Sequence, residues 1–70
     1  MKLSARNIFK GKVKRIVPGM VNSEITVELP SGTEITSIIT KTSAENLGLK
    51  VGKQIYAVIK ASSVLLGIDE

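Results

Sequence analysis

The sequence predicts an all-β protein, a small OB-like five-stranded Greek-key barrel with one short helix. Short runs in which apolar and polar residues alternate with a period of two predict the strands. Glycine and proline separate these runs as turn signals, and only one short segment carries residues typical of helix ends. The chain has 70 residues, so a single domain over residues 1–70 is expected.

The first two strands flank a strong turn signal. Residues 7–17 are expected to form the first strand, and Gly11 within it predicts a bend or bulge. Pro18-Gly19 predicts the turn that follows. In the second strand, residues 21–29, the odd-numbered positions are mainly apolar and the even-numbered ones are polar. One face of this strand is therefore expected to be buried.

One helix is predicted between the third and fourth strands. The third strand covers residues 34–40, and the helix covers residues 42–48. Thr42 or Ser43 is expected to cap the N-terminus of the helix, and Gly48 is expected to end it in the left-handed conformation.

Two further strands are predicted after the helix. A turn at Val51-Gly52-Lys53 leads into the fourth strand, residues 54–60, in which apolar and polar residues alternate. Residues 64–68 are expected to form the fifth and last strand of the barrel.

The composition excludes several classes of protein and favours self-association. The chain contains no cysteine and no histidine, so it has neither disulfides nor Cys/His metal sites. So short a chain buries only about 60% of its unfolded surface. Because 43% of its residues are hydrophobic, we expect a homo-oligomer. Neither a signal peptide nor a membrane span is recognisable, which favours a soluble, cytoplasmic protein.

Two cationic, hydroxyl-bearing segments lie near the two ends of the chain. Ser4-Ala5-Arg6-Asn7 is the first, and Ile59-Lys60-Ala61-Ser62-Ser63-Val64 is the second. The net charge of +4 also favours an anionic partner. Hydroxyl groups and backbone N–H groups beside Arg and Lys are the donors that a small oxyanion requires.

With five other segments, these two give the chain a resemblance to the molbindins, the small Mop or TOBE-type molybdate-binding modules. The other segments are Gly11-Lys12-Val13, Gly19-Met20-Val21-Asn22, Ile39-Thr40 to Ser43, Leu47-Gly48-Leu49 and Val51-Gly52-Lys53. The resemblance covers almost the whole chain. It implies an OB-like barrel, a homohexamer built as a trimer of dimers, and binding of molybdate or tungstate between subunits, without a cofactor and without catalysis.

The resemblance also implies which residues hold the oxyanion. The positions that match the main site are Ser4, Arg6, Thr40, Ser43, Lys60, Ala61 and Ser62. Ala61 would donate from its backbone N–H group, and no residue would ligate the metal directly. Thr40 and Ser43 are expected to come from a neighbouring chain. A second anion site near the symmetry axis would involve Gly19, Val21 and Asn22.

Molybdate is a tetrahedral dianion whose oxygens accept hydrogen bonds and donate none. A site that contains only donors therefore suits it, whereas hydrogen phosphate would leave a mispaired donor at a cost of about 1–3 kcal/mol. Sulfate is also a fully ionised tetrahedral dianion and differs from molybdate mainly in size. Molybdate and tungstate are nearly equal in size and charge, so we expect them to bind alike.

Other interpretations of the same residues remain open. A basic OB-fold module for single-stranded nucleic acid is one, because Lys10, Lys12 and Lys14 share one strand face. The chain has only one Phe and one Tyr, so the stacking aromatics of such surfaces are lacking. A module that docks on a larger protein is another, with Ser43 as a helix cap and Lys60 as a solvated strand end. No carboxylate pairs with a nucleophile at a convincing spacing, so an enzyme is not expected.

Overall fold

Four antiparallel strands form one curled sheet in the computed structural model, which describes residues 4–69. In chain order the elements are β1 (Asn7–Pro18), β2 (Asn22–Glu28), β3 (Glu34–Thr40), α1 (Lys41–Asn46), β4 (Gln54–Ile59) and a short 3₁₀ helix (Ala61–Ser63). The strands lie in the order β3-β2-β1-β4. This is the Greek-key order, because the fourth strand returns to lie beside the first. The predicted all-β class with one short α-helix is therefore confirmed.

β1 is the long strand that connects the two halves of the sheet. Its first half pairs with β4, starting with Asn7 opposite Ile59. Its second half pairs with β2 and ends where Pro18 lies opposite Ser23. The strand thus starts beside the end of β4 and finishes beside the start of β2, so its two ends lie in different parts of the molecule.

β1 contains a bulge at Lys14 rather than at Gly11, where the sequence predicts one. The pairing with β2 skips Lys14, which is left as an additional residue between Val13 and Arg15. Gly11 is required for a different reason, since a Cβ atom there would lie 2.7 Å from the carbonyl oxygen of Glu28. Of the bend or bulge predicted at Gly11, the bulge lies instead at Lys14, and the glycine permits close approach of β2.

The apolar core lies on the inner face of β1 and β2. Val13, Ile25 and Val27 are each 2% exposed or less. Ile25 and Val27 occupy the face of β2 that the alternation predicts to be buried. Thr26 lies on the opposite face and is also buried. Its hydroxyl accepts a hydrogen bond from the guanidinium group of Arg15 at 3.4 Å.

α1 begins at Lys41, and its N-cap is Thr40 rather than Thr42 or Ser43. The Thr40 hydroxyl accepts a hydrogen bond from the Ser43 N–H at 3.0 Å. β3 therefore runs directly into the helix, since Thr40 both ends the strand and caps α1. Gly48 follows the helix with a φ of +62°, so its predicted left-handed conformation is confirmed. Neither this helix nor any other in residues 4–69 has the length and apolar character of a membrane span.

The predicted fifth strand, residues 64–68, is not part of the sheet in the described residues. β4 ends at Ile59, the 3₁₀ helix follows, and the chain then continues without regular secondary structure. Leu65 and Leu66 are 92% and 95% exposed. A strand requires backbone pairing with a neighbour, and within one chain this segment packs against neither edge of the sheet. Residues 4–69 therefore contain four strands, not the five that the sequence predicts.

Candidate anion site

The start of β1 brings the two cationic segments of the sequence together. Asn7 lies opposite Ile59 in the antiparallel pairing of β1 with β4. The side-chain amide of Asn7 donates a hydrogen bond to the Ile59 carbonyl at 3.3 Å. In an antiparallel pair, residues that precede one position run beside residues that follow its partner. The segment before Asn7 therefore lies beside the segment after Ile59, although 52 positions separate the two residues.

One cavity of about 610 Å³ lies between these two segments. It is lined by Ser4, Ala5, Arg6, Val58, Lys60, Ala61 and Ser62. Five of the seven residues predicted for the main site therefore surround a single cavity. The functional groups they offer are hydroxyl, guanidinium, ammonium and backbone N–H groups, all of which donate hydrogen bonds.

In the described residues, two cationic side chains and no carboxylate line this cavity. The carboxylates of Glu28 and Glu34 pair with the ammonium group of Lys14 elsewhere. The hydrogen bond from Lys14 holds the pKa of Glu34 below its ordinary value. The Glu34 carboxylate is therefore ionised and paired with Lys14. Arg6 and Lys60 have no ion-pair partner within residues 4–69. Two like charges in one cavity create a positive potential, which attracts an anion and repels a cation.

The 3₁₀ helix adds backbone donors to the wall of the cavity. Lys60 is its N-cap residue, and the Ser63 N–H donates to the Lys60 carbonyl at 2.8 Å. The first N–H groups of a helix lack an acceptor within the helix, so those of Ala61 and Ser62 are available to a ligand. The sequence predicts no helix here. The signal for one is the Ser62-Ser63 pair, because serine side chains compete with strand pairing through local hydrogen bonds.

Thr40 and Ser43 lie away from this cavity and are hydrogen-bonded to each other. The Thr40 hydroxyl donates to the Ser43 hydroxyl oxygen at 2.8 Å, which leaves the Ser43 hydroxyl hydrogen for another acceptor. Thr40 lies opposite Asn22, near the C-terminal end of β1, whereas Arg6 precedes its N-terminal end. Neither hydroxyl residue lines the cavity, so the described chain does not bring all seven residues together.

The second predicted set, Gly19, Val21 and Asn22, forms the turn between β1 and β2. The Gly19 N–H donates to the Asn22 carbonyl at 2.8 Å, and the Val21 carbonyl accepts from the Lys41 N–H at 2.8 Å. A Cβ atom at position 19 would lie 2.5 Å from the same Asn22 oxygen. Closure of the turn therefore accounts for the glycine, and its N–H is not free for an anion.

Similarity to known proteins extends along nearly the whole chain. The TOBE domain family matches residues 3–66. A protein of Haemophilus influenzae, named as a probable molybdenum-pterin-binding protein, is 42% identical over 69 residues. This match covers 99% of the present chain and 100% of the relative.

Solved structures of other proteins share the fold. MopII from Clostridium pasteurianum has a TM-score of 0.91 and 42% identity, with 96% of this chain and 100% of that chain covered. ModG, a cytoplasmic molybdate-binding protein solved with molybdate bound, has a TM-score of 0.94 and 55% identity. That match covers 99% of this chain and 49% of the ModG chain. These likenesses confirm the OB-like architecture that the sequence predicts.

Proposed function

Since the chain belongs to the TOBE domain family and is a molbindin, we propose that it binds intact molybdate or tungstate and catalyses no reaction. The cavity between residues 4–6 and 60–62 is the observation that carries this proposal. An oxyanion there would receive charge-assisted hydrogen bonds from Arg6 and Lys60, which are roughly twice as strong as neutral ones. Ser4 and Ser62 would add hydroxyl donors, and Ala61 would add its N–H group.

The complete site lies, in this proposal, between subunits of a homo-oligomer. Thr40 and Ser43 are the two predicted residues that the cavity lacks, and the Ser43 hydroxyl hydrogen is free to reach an acceptor outside its own chain. A neighbouring copy could place this pair opposite the cavity and add two more donors. A homohexamer arranged as a trimer of dimers is the assembly that we propose.

The biological role that fits such a protein is storage and homeostasis of molybdenum in the cytoplasm. Anion binding through hydrogen bonds alone is reversible, because no metal–ligand bond has to form or break. The similar protein ModG is a cytoplasmic protein, which supports this location. Fractionation of cells that produce the protein, followed by detection in the cytoplasmic fraction, tests this part of the proposal.

Isothermal titration of the purified protein with molybdate, tungstate and sulfate tests the proposed ligand. We expect saturable binding of molybdate and tungstate, and weaker binding of sulfate. Arg6→Ala should weaken molybdate binding at least about tenfold, since a hydrogen bond to a charged group contributes about 1.5–3 kcal/mol. Lys50→Ala removes one positive charge from an exposed loop outside the cavity and is the matched control. Parent-like binding by Arg6→Ala, or no binding by the parent protein, would contradict the proposal.

A further inference from the structure

Asn7 joins the two walls of the anion cavity at the point where strand pairing ends. It is the first residue of β1 and lies opposite Ile59, the last residue of β4. Its side-chain amide donates to the Ile59 carbonyl at 3.3 Å, and this is the only side-chain hydrogen bond between the two strands in residues 4–69. Arg6 precedes Asn7 and Lys60 follows Ile59. The half-buried amide therefore links the two strands directly beside the two cations.

Beyond this pair, little in the described part of the chain holds the two walls at a fixed distance. Residues 4–6 have no regular secondary structure. Within residues 4–69, no hydrogen bond joins residues 4–6 to residues 60–62. The 3₁₀ helix of the other wall starts at Lys60 without a side-chain cap. The separation of the walls is therefore set at the end of the strand pair, where Asn7 lies.

The two cations oppose this arrangement as long as the cavity is empty. Arg6 and Lys60 both line the cavity, and neither has an ion-pair partner within residues 4–69. Like charges repel each other, so their repulsion acts to separate the two strand ends. Strand ends also open more readily than the middle of a sheet. A contact between β1 and β4 at this position is therefore needed to keep the empty cavity narrow.

A neutral amide suits this task better than a charged side chain. An aspartate at position 7 would attract both cations, but its carboxylate accepts hydrogen bonds and could not donate one to the Ile59 carbonyl. It would also place a negative charge beside the cavity and so repel an oxyanion. The Asn7 amide holds the strands through a donor and leaves the positive charge of Arg6 and Lys60 available to the ligand.

We propose that Asn7 is a positioning residue, which holds Arg6 and Lys60 of the empty cavity at the spacing that the oxyanion requires. This inference rests on the oxyanion site of the proposed function and assigns the residue that pre-organises it. Because folding has already brought the two cations together, anion binding does not have to order them, and the affinity is higher. Asn7 acts through the two cationic residues rather than through contact with the anion.

Salt dependence distinguishes this role from that of an ordinary structural hydrogen bond. The Debye length falls from about 30 Å at 0.01 M salt to about 3 Å at 1 M salt. Repulsion between two exposed cations is therefore strong at low salt and largely screened at high salt. If Asn7 opposes this repulsion, removal of its amide should matter most at low salt. A hydrogen bond that only stabilises the fold should matter equally at both salt concentrations.

Molybdate titration of the parent and Asn7→Leu in 0.01 M and 1 M sodium chloride tests the proposal. Leucine has a similar size but no donor, so we expect molybdate binding to weaken about three- to tenfold at low salt and less than about twofold at high salt. Asn7→Gln keeps the amide on a longer side chain and should lie between the two. Asn46→Leu removes an exposed amide outside the cavity and should bind like the parent. Parent-like binding by Asn7→Leu at low salt, or an equal loss at both salt concentrations, would overturn the proposal.

Amide hydrogen exchange without any oxyanion tests the same role independently of the ligand. The Ser63 N–H donates to the Lys60 carbonyl at 2.8 Å, so its exchange rate reports on the wall that contains Lys60. In Asn7→Leu this N–H should exchange at least about threefold faster than in the parent at low salt, and the ratio should approach one at high salt. The Gly52 N–H, which donates to the Val13 carbonyl at 2.8 Å, should keep the parent rate.

The two measurements separate the positioning role from the proposed ligand. A parent protein that binds no molybdate would refute the proposed function, and the exchange rates would still decide the role of Asn7. Molybdate binding by the parent, together with an unchanged Ser63 exchange rate in Asn7→Leu, would refute the positioning role alone. Equal acceleration of Ser63 and Gly52 exchange would show that the substitution loosens the whole fold, and it would also refute that role.

Discussion

Arg6 and Lys60 share a cavity in which each repels the other when no ligand is bound. The chain has six acidic residues, and none of those described lines this cavity. A nearby carboxylate would neutralise the two cations and would repel an oxyanion. The exclusion of acidic groups, as much as the presence of the two cations, is what makes the cavity suitable for a dianion.

Thr40 allows the structural role of a site residue to be separated from its binding role. Because its hydroxyl caps α1, Thr40→Ala should lower the free energy of unfolding by about 1 kcal/mol. Thr40→Asp should retain most of the stability, since aspartate is also a good cap. Urea denaturation of both variants checks these expectations.

The same pair of variants tests the interface site through titration with molybdate. If Thr40 of one copy faces the cavity of another, the carboxylate of Thr40→Asp should weaken molybdate binding at least about tenfold by charge repulsion. Thr40→Ala loses only one neutral donor and should be affected less. Equal affinity of the parent and Thr40→Asp would remove Thr40 from the site.

The Lys14 to Glu34 pair predicts a pH dependence. The hydrogen bond from Lys14 lowers the pKa of Glu34 from its ordinary value of 4.5. The stabilisation is therefore present above pH 4.5 and is lost as the pH falls through the lowered folded-state pKa. The difference in unfolding free energy between the parent and Lys14→Met should shrink as the pH falls below 4.5. A difference that grows in acid would contradict this assignment.

At the level of elements, the features that depend on local pattern are predictable, and those that depend on neighbours are not. The alternation in β2 and the left-handed Gly48 are visible in the sequence because they need only nearby residues. The bulge at Lys14 depends on how β2 approaches β1. Residues 64–68 have the composition of a strand, but in the described part of the chain they pair with neither edge strand of the sheet.

The candidate site likewise contains features that the local sequence predicts and features that depend on neighbouring elements. The segments around Arg6 and Lys60 are recognisable because each sets a cation beside hydroxyl groups, and strand pairing then brings them together. The 3₁₀ helix that starts at Ala61 was not predictable from alternation, since it interrupts a strand-like run. In the proposed site, Thr40 and Ser43 come from a second chain, and the sequence pattern of one chain does not describe such a contact.

Gly11 provides a prediction at the level of the sheet. Gly11→Ala would place a methyl group 2.7 Å from the Glu28 carbonyl oxygen, so β1 and β2 would have to separate. We expect a loss of about 1–3 kcal/mol in the free energy of unfolding, as for other overpacked sites. Gly67→Ala is the control, because no atom lies within 4 Å of its added Cβ. Equal stability of the two variants would show that the β1 to β2 contact is looser than described.

At the scale of the whole molecule, the buried apolar core is small for a domain that has to be stable as a single chain. Only Val13, Ile25 and Val27 form the fully buried apolar core of the described chain. Many large aliphatic side chains remain exposed, among them Leu65 and Leu66. Small domains usually compensate for so small a core by association or by a bound ligand. Assembly and anion binding are therefore expected to contribute to the stability of the fold.

Molybdate should accordingly raise the thermal unfolding temperature of the assembled protein. A ligand at 100 times its dissociation constant stabilises the folded state by about 2.7 kcal/mol per site. Scanning calorimetry with molybdate, tungstate and sulfate at equal concentration checks this effect. The two metal oxyanions should raise the unfolding temperature, and sulfate should raise it less. An equal shift with all three anions would indicate a general salt effect rather than a site.

The most direct test of the proposed function is a crystal structure of the protein grown with tungstate, because tungsten gives a strong anomalous signal. We predict a tungsten peak in the cavity between Arg6 and Lys60, with Thr40 and Ser43 of a neighbouring copy on its other side. An anomalous map with no peak in that cavity at saturating tungstate would contradict the account.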